Sequence, residues 1–214
     1  MDYRVDVRKL ELFNQMAKEG AGTVSDHLNQ MTGLDTDIEV SKINFLDIED
    51  VKTHIGDREQ VGIYVALNEP PYGYVLFLLE PEGSKQLAQG MVGDMGDGEA
   101  TDGLFTEMER SAMQEIGNVM TSGFIDGWAN VLDTTIDMST PSFIFGPSHD
   151  IVDKMGGWPD EEIAFVIDSN IVAENADVAV TVYTFPQLAD LVQLIQQIDT
   201  ATDVAEDTTA SDVV

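Results

Sequence analysis

The sequence predicts an α+β fold, a pseudo-twofold repeat of an α-β-β-β-α unit with a shared sheet and two long equivalent helices. One observation is a repeated octapeptide: LDTDIEVS begins at Leu34, LDTTIDMS begins at Leu132, and five of the eight positions are identical. Another is that each copy follows a long amphipathic stretch, at residues 9–32 and 106–131. Sequence self-similarity at a fixed offset indicates the same local structure in both halves.

Two further strands and a helix are predicted after each octapeptide. Apolar runs of strand length occupy residues 60–67, 73–80, 162–168 and 177–184. Pro81 and Pro186 follow the two pairs. Because proline is favoured in the first turn of a helix, each is expected to open one. Three short strands make a marginal sheet, so we expect the strands of both halves to pair into one sheet.

These units are expected to form a single domain over residues 1–198, from repeats at about 9–92 and 106–198. The glycine-rich stretch of residues 93–103 is the predicted junction loop. After residue 198 the chain loses apolar periodicity, so residues 199–214 are predicted to be a disordered acidic tail.

The chain is strongly acidic: 40 Asp and Glu stand against 10 Lys and Arg among 214 residues, a formal net charge of −30. Such a surface repels phosphate backbones and anionic lipids, which excludes nucleic-acid or membrane binding through a basic patch. The acidic residues are dispersed along the chain, which is typical of a surface adapted to the high salt of an extreme halophile, where counterions screen the repulsion. The alternative is an acidic interaction surface for a basic partner.

Several site classes are excluded or disfavoured by residue usage. The chain has no cysteine, so disulfides and thiol catalysis are excluded. His27, His54 and His149 lack metal-ligand spacing and are expected on the surface or in loops. No apolar run approaches the roughly 18 residues of a spanning helix, and the first residues lack a signal-peptide core. A cytoplasmic protein without membrane insertion is therefore expected.

The second long helix carries a polar face of unusual composition. Thr106 followed by Glu109 forms a capping-box pattern, which predicts where this helix begins. At 100° per residue, one sector of about 60° holds three polar residues, Ser111, Glu115 and Asn118, opposite an apolar face.

Two residues on this helix indicate that its polar face does more than contact solvent. Asn118 is a weak helix former, and a neutral carboxamide is unexpected on so acidic a surface. Gly117, beside it, costs about 1 kcal/mol relative to alanine inside a helix. We therefore expect a packed neighbouring helix or a docked partner to approach closely at Gly117.

The segment SAMQEIGNVM, residues 111–120, resembles the signature of the CheC/CheX-type phosphatases of chemotaxis, D/S-x3-E-x2-N-x22-P. Ser111, Glu115 and Asn118 fill its helical positions, and Pro141 follows Asn118 after 22 intervening residues. The two-copy organisation is similar to that of CheC in particular. The resemblance covers about residues 9–198.

The resemblance implies hydrolysis of the aspartyl phosphate of the response regulator CheY. Asn118 would hold the attacking water, and Glu115 would contact the invariant lysine of the CheY phosphorylation pocket. Ser111 and Pro141 would support the site, with Pro141 ending or bending the strand beside the helix. The resemblance also implies CheD as a partner and no cofactor bound by this chain, since the Mg²⁺ ion would be held by CheY.

The first copy departs from this pattern. Gln15 replaces the glutamate and Lys18 the asparagine, while Glu11 and Ser41 occupy the outer positions of the signature. A lysine cannot accept a hydrogen bond from water, so this half is predicted to be a degenerate, inactive site. Two alternatives to an enzyme stay open. One is a non-catalytic or weakly catalytic binding module for CheD, phosphorylated CheY or both, and the other is a structural role at the flagellar or archaellar switch.

The charge pattern makes a prediction about salt. If the acidic surface is adapted to high salt, the free energy of unfolding rises from low salt to molar KCl, because counterions screen the repulsion between carboxylates. Urea denaturation at several KCl concentrations measures it. A free energy of unfolding that does not depend on KCl would contradict this interpretation and favour the acidic interaction surface.

Overall fold

The structure is a computed structural model that describes residues 10–32, 35–93, 99–100, 103–155, 163–173 and 176–197. The predicted junction at residues 93–103 lies largely outside the described residues, and the predicted tail at 199–214 lies entirely outside them. Both therefore stay predictions. Within the described part of the chain, no helix combines the length and the apolar character needed to cross a membrane.

Both halves of the chain follow the order helix, strand, helix, strand, strand, helix. The first half comprises α1 (Leu10–Thr32), β1 (Thr36–Asp47), α2 (Ile48–Ile55), β2 (Glu59–Leu67), β3 (Gly73–Leu79) and α3 (Pro81–Val92). The second comprises α4 (Glu107–Leu132), β4 (Ser142–Pro147), α5 (Ser148–Lys154), β5 (Ile163–Ala173), β6 (Ala176–Pro186) and α6 (Leu188–Gln197). The predicted α-β-β-β-α unit thus lacks the short helices α2 and α5.

The two predicted helix-opening prolines behave differently. Pro81 is the first residue of α3, as expected. Pro186 instead ends β6, where it pairs with Gly73, and α6 begins only at Leu188. A strand end tolerates proline because the missing N–H is not needed beyond the ladder.

The strands form one six-stranded sheet in the order β1-β5-β6-β3-β2-β4. Each neighbouring pair is antiparallel, and three of the five pairings, β1–β5, β6–β3 and β2–β4, join strands of different halves. The expected shared sheet is therefore present. The strands of the two halves correspond in chain order, β1 to β4, β2 to β5 and β3 to β6. When each strand is replaced by its counterpart, the same order is obtained from the opposite edge of the sheet, so the sheet topology has twofold symmetry. Superposition of the two repeats stays a prediction.

The repeated octapeptide does not form a strand in both halves. In the first half, its strand β1 pairs with β5 from Thr36 to Asp47. In the second half, Asp133 adopts a left-handed conformation (φ 49°) that caps the C-terminal end of α4. Only Met138 then forms a β-bridge, to Leu67, before β4 begins. The prediction of a second strand over this octapeptide was wrong, because the helix cap uses its first residues.

Both faces of the sheet are covered by helices. The alternation of side chains along a strand is clear in β3, where Val75, Phe77 and Leu79 lie in the core beneath α1 and α4. Leu76 and Leu78 belong to a second core beneath α2 and α5. Burial on both faces explains why β3 is apolar at every one of these positions.

The long helices α1 and α4 pack antiparallel at backbone distance. A Cβ atom added to Gly127 would lie 2.5 Å from the Cα of Gly20, and one added to Gly123 would lie 2.9 Å from the Cα of Val24. As the residue number rises along α1, the number of its α4 neighbour falls. Glycine is required at Gly127 because any side chain there would overlap the backbone of α1.

The close approach predicted at Gly117 exists, but its neighbour is a strand. A Cβ atom at Gly117 would lie 3.1 Å from Cδ1 of Ile63, in β2. The predicted neighbouring helix or docked partner was wrong at this position. The physical reason is that α4 lies directly on the sheet, so its inward face meets Ile63.

A capping box fixes the start of α4, as the sequence predicts. The hydroxyl of Thr106 accepts a hydrogen bond from the backbone N–H of Glu109 at 3.2 Å. The Glu109 carboxylate accepts from the backbone N–H of Thr106 at 2.8 Å and lies 3.5 Å from Nζ of Lys85, in α3. Burial raises the pKa of Glu109, but the Thr106 and Gln89 hydrogen bonds and the Lys85 charge outweigh it, so the pKa is lowered overall.

The close contact between α1 and α4 predicts that replacing glycine by alanine has very different effects on stability at two positions. Gly127→Ala should lower the free energy of unfolding by about 1–3 kcal/mol, because its methyl group meets the backbone of α1 and cannot be accommodated by a rotamer change. The matched control is Gly22→Ala in α1, where a Cβ atom has open space. That change should be neutral or stabilising by up to about 1 kcal/mol. Urea denaturation compares them, and equal stability of the two variants would contradict the packing.

The capping box predicts a pH dependence. Glu109→Gln should lower the free energy of unfolding at neutral pH by about 1.5–3 kcal/mol, because charge-assisted hydrogen bonds are lost. A carboxylate with a lowered folded-state pKa stabilises the fold above its unfolded-state pKa, and that stabilisation is lost as the pH falls through the folded-state pKa.

The difference in the free energy of unfolding between Glu109→Gln and the unmodified protein should therefore become smaller at acidic pH. Urea denaturation across a range of pH measures it. Glu107→Gln, at an exposed position in the same turn, is the control and should change stability by less than about 0.5 kcal/mol. If the loss of unfolding free energy in Glu109→Gln is the same at every pH, the charge of Glu109 does not contribute to stability.

Candidate functional site

The polar face of α4 lies at the surface, as the helical geometry predicts. Glu115 and Asn118 are exposed, Ile116 is fully buried, and Val119 is half-buried. The Asn118 carboxamide nitrogen donates a long hydrogen bond of 3.4 Å to the carboxylate of Glu115. With its nitrogen engaged there, the carboxamide oxygen is left to accept a hydrogen bond from water.

These two side chains line an open pocket between the long helices, here called the seam pocket. It is lined by His27 and Gln30 of α1 and by Glu115, Asn118, Val119 and Ser122 of α4. Glu115 is the only carboxylate among these six residues, although the chain has a net charge of −30. The seam pocket is therefore poor in acidic groups for this protein.

The sequence reasoning missed His27 and Gln30 as candidate site residues. They lie three residues apart on α1, a spacing that places both on one helix face. That spacing is the available sequence signal, but it does not say which surface the face meets. The antiparallel contact between Val24 and Gly123 brings them beside the middle of α4.

Ser111 is exposed on α4 but does not line the seam pocket. Its hydroxyl donates a hydrogen bond of 3.0 Å to the backbone oxygen of Glu107, one turn earlier in the same helix. The contact occupies the donor of this hydroxyl within the helix itself. The structure therefore keeps Ser111 on the polar face of α4 without bringing it to Glu115 and Asn118 in the pocket.

Pro141 precedes a strand instead of ending or bending one. It stands directly before β4, and its neighbour Ser142 pairs with Tyr64 of β2. Beyond it, the ring of Phe143 lies under the Arg110 guanidinium, 5.0 Å from the ring centroid. The segment after Pro141 thus packs on the start of α4, and the expectation that this proline ends or bends the strand was wrong.

The corresponding residues of the first half lie elsewhere. Gln15 and Lys18 are exposed on α1, between the buried residues of its inner face. Because Gly20 faces Gly127, both lie toward the C-terminal end of α4 and not beside Asn118. The two predicted sites therefore occupy opposite ends of the helix pair. The side chain of Ser41 lies outside the described residues.

All three histidines lie in helices, and none lies in a loop; His54 and His149 are exposed, which confirms the expected surface position for these two, and His27 is half-buried. His54 and His149 belong to α2 and α5, on the other face of the sheet from His27. His149 is exposed and contacts Asp57 at 3.0 Å, and this hydrogen bond raises the pKa of His149. Across the described ranges, no group of three or more His, Cys, Asp or Glu residues could hold a metal ion.

The sequence has clear relatives. The CheC-like family model matches residues 108–145, which include Ser111, Glu115, Asn118 and Pro141. A protein of Halobacterium salinarum named "Putative CheY-P phosphatase CheC1" is 43% identical over 198 residues. That match covers 92% of this chain and 100% of the relative.

Solved structures share the fold at low sequence identity. FliY of Thermotoga maritima has a TM-score of 0.69 at 21% identity, covering 91% of this chain and 96% of that one. The FliM middle domain of H. pylori has a TM-score of 0.62 at 11% identity, covering 91% and 100%. CheX of Desulfovibrio desulfuricans has a TM-score of 0.52 at 14% identity, covering 79% and 98%. At these identities the similarity establishes the fold alone. On the strength of the full-length match to CheC1, this chain belongs to the CheC-like family of chemotaxis proteins.

Proposed function

We propose that this chain is a phosphatase that hydrolyses the aspartyl phosphate of a CheY-type response regulator, using one site on α4. The observation that supports it most directly is the exposed Asn118 carboxamide, oriented by its hydrogen bond to Glu115. The signature around these residues and the name of the Halobacterium salinarum relative point to the same reaction.

The proposed reaction needs little covalent help from the protein. An acyl phosphate is already reactive, so the main requirement is a water held in line with the phosphorus atom. The free oxygen of the Asn118 carboxamide accepts a hydrogen bond from that water and turns its lone pair toward the phosphorus. The group is neutral, so it does not repel the phosphoryl oxygens as a carboxylate would.

Glu115 has two tasks in this proposal. Its carboxylate accepts from Asn118 and so helps to orient the carboxamide. Its exposed side chain can also form an ion pair with the lysine of the regulator's phosphorylation pocket, as the family resemblance implies. The Mg²⁺ ion of the reaction belongs to the regulator in this account.

A covalent serine mechanism is not favoured. A serine nucleophile needs a neighbouring base, and the Ser111 hydroxyl instead donates to the backbone oxygen of Glu107. Ser111 therefore supports the helix face, while the attacking group is water.

The first half is not expected to hydrolyse the phosphate. Lys18 stands where the signature has asparagine, and its ammonium group donates hydrogen bonds but accepts none. Gln15, where the signature has glutamate, carries no charge for an ion pair with the regulator's lysine.

The central prediction concerns Asn118→Ala. It should reduce the acceleration of phosphorylated CheY decay by about 10²–10³-fold, because the positioned water is lost while the docking surface remains. Decay of the phosphorylated regulator in molar KCl measures it. Lys18→Ala should change the rate little, because the first half has no carboxamide at the position where the signature has the water-holding asparagine.

Asn130→Ala is the matched control, since it makes the same change at an exposed position of α4 outside the seam pocket. Full activity of Asn118→Ala would overturn the assignment. A chain that binds phosphorylated CheY without accelerating its decay would support the binding-module alternative instead.

A further inference from the structure

The seam pocket has two walls, one from each long helix. The α4 wall carries Glu115 and Asn118, three residues apart, and the α1 wall carries His27 and Gln30 at the same spacing. Residues three apart lie on one helix face, so each pair presents two polar groups to the pocket. Nothing in the signature around Asn118 accounts for the pair on α1.

The α1 wall is held in place by backbone contact. Val24 lies against Gly123, where an added Cβ atom would be 2.9 Å from the Val24 Cα. His27 is one helical turn beyond Val24, so it stands beside the α4 turn that contains Val119. Groups mounted on two helices in such close contact keep their relative positions better than groups on loops.

The chemistry of the α1 wall suits an anionic partner surface. His27 and Gln30 carry an imidazole and a carboxamide, which can both donate hydrogen bonds without adding negative charge. In a chain with 40 acidic and 10 basic residues, a surface pocket lined by a single carboxylate repels an anion less than a surface crowded with acidic groups. The phosphorylated aspartate of a response regulator, among its acidic neighbours, is such an anion.

We infer that His27 and Gln30 are positioning residues that contact the docked regulator around its phosphorylated aspartate, so that the first half of the chain completes the site of the second. This inference rests on the proposed phosphatase function. The two side chains hold the regulator against α4, and Asn118 alone holds the water. Their loss therefore weakens binding of the substrate, and the chemical step is retained.

The first experiment measures the effects of substitutions at His27 and Gln30 on KM and on kcat separately. With phosphorylated CheY in molar KCl, His27→Ala and Gln30→Ala should each raise KM about 3–10-fold, the effect of one lost neutral hydrogen bond, with kcat nearly unchanged. His27→Gln should recover most of the affinity, because a carboxamide replaces the lost hydrogen-bonding group. His149→Ala, which removes a histidine from the other face of the sheet, is the control and should leave both constants unchanged.

The second experiment adds a charge. Gln30→Glu should raise KM by about tenfold or more at low salt, since like charges at an interface repel, and KCl should reduce the effect. Gln86→Glu adds the same charge at an exposed position of α3 outside the pocket and should change KM little. Urea denaturation checks that each variant is folded. If Gln30→Glu does not fold, the KM of Gln30→Ala tests the role of Gln30 instead.

The outcomes distinguish the two proposals. If the unmodified protein does not accelerate CheY-P decay, the proposed function fails. If it does, but Gln30→Glu and His27→Ala have the KM of the unmodified protein, the inference about α1 fails and the proposed function stands. A fall in kcat at constant KM would overturn the positioning role, because the α1 residues would then act in the chemical step.

Discussion

The contact between the backbones of α1 and α4 is the constraint on which the rest of the structure depends. Gly127 meets Gly20 and Gly123 meets Val24 at distances that leave no room for a Cβ atom. This contact sets the antiparallel direction of the helices and their offset along the common axis. It therefore decides which residues share the seam pocket, and it places Gln15 and Lys18 at the opposite end of the pair.

The sheet makes the two halves depend on each other. β1 pairs with β5, β4 pairs with β2, and β3 pairs with β6, so each half supplies neighbours that the other half lacks. A half that lost its own reactive groups would still be needed for the sheet and for the wall of α1. The degeneration predicted at Gln15 and Lys18 is therefore compatible with retention of the whole first half, because the strand pairings of this half do not involve these two residues.

Charge is distributed so that the acidic surface and the site do not conflict. Glu109 is a buried carboxylate, and it is paired with Lys85 and the Thr106 backbone, which compensates its removal from water. The seam pocket holds one carboxylate, and that group is engaged with Asn118. A protein of net charge −30 thereby has a pocket whose lining is mostly neutral.

The sequence by itself determined the α+β class, the two long helices, the start of α4 at Thr106 and the exposure of Glu115 and Asn118, because capping and helical periodicity are local properties. It also carried the signature that identifies the family. Only the tertiary structure decided that the octapeptide forms a strand in one half and a helix cap in the other, that Gly117 meets Ile63, and that His27 lines the seam pocket. These outcomes depend on which distant elements touch, and side-chain spacing within one helix or strand does not encode that choice.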